Sequence, residues 1–333
     1  MRATPSLADV AAAAGVSLAT ASKALNGRPR VSPGTRARVA DAADRLGYVA
    51  RRGASRLKLG GTVGIIASDL AGRFALPIMM GAEDAFGLGA VSVLMCDARG
   101  DALRERHHLR ALVERNVDGI IVLGSVSSER ASLSSMFEVP LVYAYAPSEA
   151  PSDTSVDASH DVAGALAADH LVQAGSRRVA IVAGDPRVRA TAMRSTAARR
   201  ALASAGVELV GGAVHAGEYS ESWGRTAALS LIDRHPEVDG FLCGNDQIAR
   251  GVLDVLGRRG YDVPDRAKVI GHDNWLAMVE PTRPGLTSID MHLEEIGRVS
   301  AALLLRAIDG RPEPGRHRVE PQLVVRGSTL RTR

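Results

Sequence analysis

The chain has 333 residues, 41 of them Lys or Arg and 37 Asp or Glu, for a formal net charge of +4. It holds no apolar run of the roughly 18 residues that would read as a membrane span. Its two cysteines, Cys96 and Cys243, fall in separate predicted lobes, so no bridge is expected and a reducing compartment fits. The charge is unevenly spread. Residues 1–60 carry eleven Lys/Arg (Arg2, Lys23, Arg28, Arg30, Arg36, Arg38, Arg45, Arg51, Arg52, Arg56, Lys58) against three acids (Asp9, Asp41, Asp44), a net +8 that leaves −4 for the rest. A split this sharp points to a polyanionic partner for the first 60 residues alone.

Three short helices are punctuated in that segment. Ser6-Leu7-Ala8-Asp9 resembles a capping box, and Leu7, Val10, Ala11 and Ala14 form one apolar stripe at helical spacing. Gly15 ends this first helix. Ser17 is an N-cap for a second helix running to about Leu25, which Asn26-Gly27 stops. Ser32-Pro33 opens a third helix, closed by Gly47. Two helices joined by a short turn make a helix-turn-helix unit, whose second helix enters the DNA major groove. Val16, Thr20, Ala21 and Leu25 face the small core, leaving Ser17, Leu18, Ala19, Ser22, Lys23 and Asn26 exposed. A small helical bundle with a solvated basic face is the competing reading.

Asp9-Val10-Ala11, Ala14-Gly15-Val16-Ser17, Ala19-Thr20-Ala21-Ser22-Lys23-Ala24-Leu25-Asn26-Gly27, Val31-Ser32-Pro33, Arg36-Ala37-Arg38-Val39 and Leu46-Gly47-Tyr48 together resemble the head of the lactose-repressor (LacI/GalR) family of bacterial transcription regulators. The resemblance implies that Leu18 and Ala19 occupy the main base-reading positions, and that Lys23 stands where many relatives have arginine. Leu18 and Ala19 offer apolar contacts, for instance to a thymine methyl, and no bidentate hydrogen bonds. Ser17, Thr20 and Asn26 match positions that hold phosphates. The run Arg51-Arg52-Gly53-Ala54-Ser55-Arg56-Leu57-Lys58-Leu59 matches the family's hinge helix, in which Leu57 is the minor-groove wedge. Ala50-Arg51 replaces the usual Pro-Asn and Gly53 weakens a short helix, which keeps a flexible basic linker as the alternative.

The body alternates strands and helices. Val63–Ile66, Val91–Leu94, Gly119–Leu123, Pro140–Tyr143, Val179–Val182, Gly240–Leu242 and Lys268–Gly271 read as buried parallel strands, with helices such as Met79–Leu88, Leu103–Arg115 and Val162–Gln173 between them. The rhythm predicts doubly wound α/β sheets, whose ligands sit beyond the carboxyl ends of the strands. The family resemblance continues here as a periplasmic sugar-binding-protein-like fold. It implies a helix-turn-helix DNA-binding domain at 1–50, a hinge at 51–61 and an effector-binding domain at 62–333. The last comprises an N-lobe (about 62–161 and 291–320) and a C-lobe (about 162–290 and 321–333). Leu286–Ile289 matches the second crossing and Val324–Thr329 the last strand. Only four residues follow Thr329, so there is no heptad tail and a homodimer is implied.

Several residues are expected at strand ends facing the cleft between the lobes. Arg194 matches the family's ligand-clamping arginine, and Asn245 and Asp273 add an amide and a carboxylate, a set suited to the hydroxyls of a sugar. Phe74, Tyr219 and Trp275 could stack on a sugar ring, and Asp69, after the first strand of the body, could line the pocket. Aspartates after strands also cap the following helix, which accounts for Asp246 or Asp273 equally well on sequence alone. His272 stands where many relatives carry an aromatic residue, as a core substitute or a tuner of the pocket.

His107-His108 reads as surface, and Gly87-Leu88-Gly89 lacks the third glycine of a dinucleotide fingerprint. No catalytic set, cofactor or metal site is expected, and Met1–Leu7 lacks the apolar core of a signal peptide, so a cytoplasmic location is expected. The resemblance implies a dimeric repressor of sugar uptake or catabolism genes that binds pseudo-palindromic double-stranded operator DNA and a small effector, a sugar, in the cleft between its lobes. A corepressor-dependent or nucleoside-responsive regulator is the alternative within the family. A solute-binding transport receptor would need a signal peptide and no basic head, and a sugar-active enzyme would need a catalytic set.

Overall fold

The computed structural model describes residues 7–17, 20, 21, 24, 31–46, 61–87 and 91–330. At the N-terminus, α1 (Leu7–Ala13) ends where Gly15 takes φ 62° and the Val16 amide donates back to the Ala11 carbonyl at 3.0 Å. The Ser17 hydroxyl accepts from the Thr20 amide at 3.1 Å, opening a second helical stretch to which Thr20, Ala21 and Ala24 belong. Ser32 repeats the device on Thr35, at 3.2 Å, ahead of α2 (Pro33–Leu46). These pieces close over a core of Val10, Ala11, Ala14, Ala21, Ala24, Val39, Ala42 and Ala43. Six of those eight are alanines, so little apolar area is buried and the caps weigh heavily in the head's stability. Ser32→Ala is expected to cost about 1 kcal/mol locally. Amide exchange over the first turn of α2 should speed up about fivefold while the body's amides keep their rates; unchanged exchange would remove the cap from the account.

The body holds two sheets. The first, in the order β12-β5-β4-β3-β1-β2, is formed by β1 (Gly61–Ala67), β2 (Val91–Asp97), β3 (Gly119–Leu123), β4 (Leu141–Ala144), β5 (Thr154–Ala158) and β12 (Gly315–Val319), all paired in parallel. Its helices are α3 (Ala75–Phe86), α4 (Ala102–Glu114) and α10 (Leu293–Ile308). The second sheet follows the order β13-β11-β10-β9-β6-β7, with β8 also beside β6. Its strands are β6 (Arg178–Ala183), β7 (Glu208–Leu209), β8 (His215–Ala216), β9 (Gly240–Cys243), β10 (Lys268–His272), β11 (Thr287–Asp290) and β13 (Gln322–Val324). The helices α5 (His160–Gln173), α6 (Arg189–Ser204), α7 (Glu221–Arg234), α8 (Asp246–Arg258) and α9 (Leu276–Val279) accompany it. Only β13 runs antiparallel, against β11. The chain passes from the first sheet to the second after β5, returns after β11 and crosses again after β12.

The buried β3 and β4 are apolar throughout because helices cover both faces of a parallel sheet. Two helices approach unusually closely. Gly81 of α3 faces the Glu294 backbone and Gly297 of α10 faces the Ile78 backbone, with no room for a Cβ at either place. The last strand departs from expectation: β13 stops at Val324, and residues 326–329 turn under β10 and β11 instead. Hydroxyls supplement two backbone bonds there, from the Val269 amide to the Ser328 carbonyl at 3.0 Å and from the Ser328 amide to the Gly285 carbonyl at 2.8 Å. Ser328 Oγ donates to the Val269 carbonyl at 2.6 Å and accepts from the Thr287 amide at 2.8 Å, and the Arg326 amide donates to Thr287 Oγ1 at 2.8 Å.

Candidate functional site

The carboxyl ends of the two sheets face each other across a cleft of about 380 Å³. From the first sheet come the turn after β1, with Asp69, Gly72, Arg73 and Phe74, the loop Ser125–Ser127 after β3, and Tyr145 after β4. From the second come Ala190 and Arg194 of α6, Tyr219 before α7, Gln247 of α8, and Asp273 and Trp275 after β10. Nothing bound here could touch one wall without lying near the other.

Asp273 leaves β10 at φ 102° and Asn274 follows at φ 48°, a reversal that turns the Asp273 side chain into the cleft. Its carboxylate is 4% exposed and pairs with the Arg73 guanidinium, 16% exposed, from the opposite wall. Arg73 lies over the Phe74 ring at 4.6 Å and the Trp275 ring at 5.5 Å, and Phe74 stacks on Tyr145 at 4.6 Å. Burial raises the Asp273 carboxyl despite the opposing charges of Arg73 and Arg194.

Arg194 reaches from α6 to His160 Nδ1, the Tyr219 hydroxyl and the Gly244 carbonyl, each at 3.3 Å. Tyr219 also bonds the Thr191 hydroxyl, and its ring covers Gly184 so closely that a Cβ there would collide with it. Behind Arg194, Ser127 donates to Asp157 at 2.7 Å and lies 2.7 Å from His160 Nε2, so a buried Ser-Asp-His cluster spans the crossing after β5. Burial, reinforced by the charge of Arg194 and opposed by Asp157, lowers the pKa of His160. An imidazole kept neutral can accept from Arg194 through Nδ1 while donating from Nε2.

Asp246 sits at the start of α8, but its carboxylate bridges other elements, accepting from Ser288 Oγ at 2.6 Å and from the Trp275 amide at 2.8 Å. It thereby positions the turn that carries Asp273 and Trp275. Burial, aided by the negative charge of Asp273, pushes the Asp246 carboxyl up to about 8 from 3.8. The folded chain therefore holds this proton more tightly than the unfolded chain. That stabilisation is complete below about pH 3.8 and is lost as the pH rises toward 8. Asp246→Asn, which does not titrate, should gain stability relative to the parent chain between about pH 5 and pH 8, by up to about 1.4 kcal/mol per unit. Thermal midpoints of the two chains that run parallel across this range would contradict it.

The sequence candidates divide. Phe74, Arg194, Tyr219, Asp273 and Trp275 line the cleft together. Asp69 lies at its exposed mouth, where its carboxylate accepts from the Gly72 amide at 3.0 Å and shapes the turn. Asn245 does not reach the cleft: it is 0% exposed, and its side chain caps α8 by accepting from the Ile248 amide at 2.9 Å. His272 is a buried core residue, 2.8 Å from Met291 Sδ, with its pKa driven well down by burial. Arg73, Tyr145, Ser127, His160, Thr191 and Gln247 were not singled out from sequence; Tyr145 follows a strand directly, and that position was its available signal. No group of His, Cys, Asp and Glu able to hold a metal occurs among the described residues, and none of their helices is long and apolar enough to cross a membrane.

For the DNA-facing candidates, Ser17 and Thr20 open the second helix of the head with their hydroxyls 2.8 Å apart. Leu18, Ala19, Ser22, Lys23, Asn26, Arg51, Arg52 and Leu57 lie outside the described residues.

Comparison with known proteins bears on both ends of the chain. Residues 6–50 match the family described as bacterial regulatory proteins, lacI family, and residues 168–329 match the periplasmic binding protein-like domain. The HTH-type transcriptional regulator CelR of Thermobifida fusca is 32% identical over 337 residues, which cover 97% of this chain and 98% of that protein. Catabolite control protein A of Priestia megaterium is 30% identical, over 90% of this chain and 91% of its own. A solved complex of the transcriptional regulator CelR with cellobiose superposes with a TM-score of 0.68 at 31% identity, covering 97% of this chain and 99% of that one.

Proposed function

This chain belongs to the lacI family of bacterial regulatory proteins, and from that premise we propose that it is a dimeric repressor whose hold on a pseudo-palindromic operator is set by a small polyol, most simply a sugar, bound between its lobes. The observation that carries the reading is the pairing of walls in one cleft: Arg194 and Asp273 come from the second sheet, while Phe74 and Tyr145 come from the first. A ligand that touches both changes the balance between open and closed lobes by its differential affinity for the two. A fork donor, a buried carboxylate and flanking rings match the donors, acceptors and apolar faces of a sugar. The CelR–cellobiose complex supports a saccharide as the ligand.

Leu18, Ala19, Ser22 and Lys23 are proposed to meet the major groove, with Ser17, Thr20 and Asn26 on the flanking phosphates and Arg51, Arg52 and Leu57 at the minor groove between two half-sites. Two-fold pairing of chains would impose two-fold symmetry on the site. Large exposed apolar side chains on α3 (Leu76, Met80) and on the edge strand β2 (Leu94, Met95) support a second copy packing on the first lobe. Such a regulator works in the cytoplasm, where its DNA is.

The test is selection of bound fragments from the source genome by the purified chain at near-physiological salt. A shared pseudo-palindrome beside uptake or catabolic genes is expected. Recovery of fragments with no common motif, with binding that decays steeply with salt, would leave only non-specific phosphate attraction and overturn the reading.

A further inference from the structure

We infer that the effector carries an acidic group, a carboxylate or a phosphate, on its polyol frame, and that Arg73 is the residue that selects for it. The inference rests on the effector reading of the cleft and adds the charge of the ligand.

The argument starts from the charges that line the cleft. They are Asp69, Arg73, Arg194 and Asp273. Asp69 is exposed at the mouth, where water screens its charge, so the deeper part of the cleft sets two guanidiniums against one carboxylate. The other buried carboxyls nearby do not offset this: that of Asp157 stands 3.6 Å from the Arg189 guanidinium, and burial beside Asp273 drives that of Asp246 toward its neutral form. Arg194 has three neutral partners and no ion pair among the described residues. The residues that line the deeper cleft are therefore short of one negative charge.

Arg73 adds a more specific requirement. Its guanidinium occupies the space between the Phe74 and Trp275 rings where a sugar ring would stack, and it ties up the carboxylate that would accept the sugar's hydroxyls. Its Nε is buried with no acceptor. A ligand must therefore part Arg73 from Asp273. Once apart, Asp273 can be satisfied by ligand hydroxyls. Hydroxyl oxygens can accept from Arg73 as well, but they bring no charge to replace the carboxylate it has lost at a site 16% exposed. A neutral polyol restores the hydrogen bonds of the broken pair and leaves its cation without a counter-charge. An acidic polyol repairs both, since its anion takes the guanidinium, with the fork geometry that suits carboxylate and phosphate alike, and its hydroxyls take Asp273. Arg73 lies in the turn Ala71-Gly72-Arg73-Phe74, whose following helix is rooted by the close α3–α10 crossing, so the residue swings from a fixed base.

The experiment is calorimetric titration of the full chain with matched sugars: D-glucose against D-glucuronate and D-glucose 6-phosphate, and D-galactose against D-galacturonate. At least one acid is expected to bind about tenfold or more tightly than its neutral parent, and the better of glucuronate and glucose 6-phosphate identifies carboxylate or phosphate as the anion. Arg73→Gln should erase that preference, and Arg73→Lys, which keeps the charge and loses the fork, should retain part of it. Neutral sugars binding as tightly as the acids, or a preference unchanged in Arg73→Gln, would overturn the inference and leave the sugar cleft standing. Absence of binding by every sugar in the panel would overturn the sugar reading together with it.

Discussion

Asp273→Ala is expected to raise the effector concentration that controls DNA binding by roughly tenfold to more than a hundredfold, while DNA affinity without effector stays as it was. Asp273 is the deeply buried carboxylate of the cleft, set there by the reversed backbone at residues 273 and 274. A hydrogen bond to such a charged acceptor contributes about 1.5–3 kcal/mol, and its loss weakens a ligand roughly tenfold to more than a hundredfold. The same change frees Arg73, which loses its partner across the lobes. The head shares no described contact with this site, so DNA binding by itself should persist. Measured as release from a selected DNA fragment against effector concentration, an unaltered response in the variant would remove Asp273 from the site.

Gly297→Val is expected to have the largest effect on stability. The added Cβ would run into the Ile78 backbone carbonyl, and Gly81 meets the Glu294 backbone in the same way on the facing helix. Backbone cannot rotate aside as a flexible side chain can, so α3 and α10 must separate. Separation opens the cluster that includes Ile78, Ala82, Ile296 and Ala301. Overpacking of this kind costs about 3 kcal/mol or more. The control is Gly257→Ala in α8, where nothing lies within 4 Å of the new Cβ and a gain of about 0.5–1 kcal/mol is expected. Denaturation midpoints that shift equally for the two variants would show that the helix crossing is not close-packed.

The sequence was legible where a local signal and the fold agree. Ile120-Ile121-Val122-Leu123 in β3 and Val179–Val182 in β6 announce strands because a parallel sheet covered on both faces admits only apolar residues. β12 is Gly-Arg-His-Arg-Val, charged and at a sheet edge, and only its pairing with β5 makes it a strand. In the site, Asp273 and Arg194 were legible from motifs the family shares. Arg73 was not, because an arginine in a turn has no local mark; its meaning comes from Asp273, 200 positions away in sequence and on the other lobe. Ser127, Asp157 and His160 are likewise assembled only by the crossing after β5. Asn245 shows the converse. A polar residue after a strand can face a ligand or cap the next helix, and burial at 0% with a hydrogen bond to Ile248 decides for the cap.

The central claim is that the cleft and the DNA-binding head are coupled. The measurement that tests it most directly is the effector's dissociation constant with and without saturating operator fragment, beside the operator's constant with and without saturating effector. Linkage requires the same factor in both directions, and a coupling of about 1–3 kcal/mol makes that factor roughly 5–150. Equal factors in this range are the expected result. A factor of one in both directions, with each ligand still bound, would contradict the account.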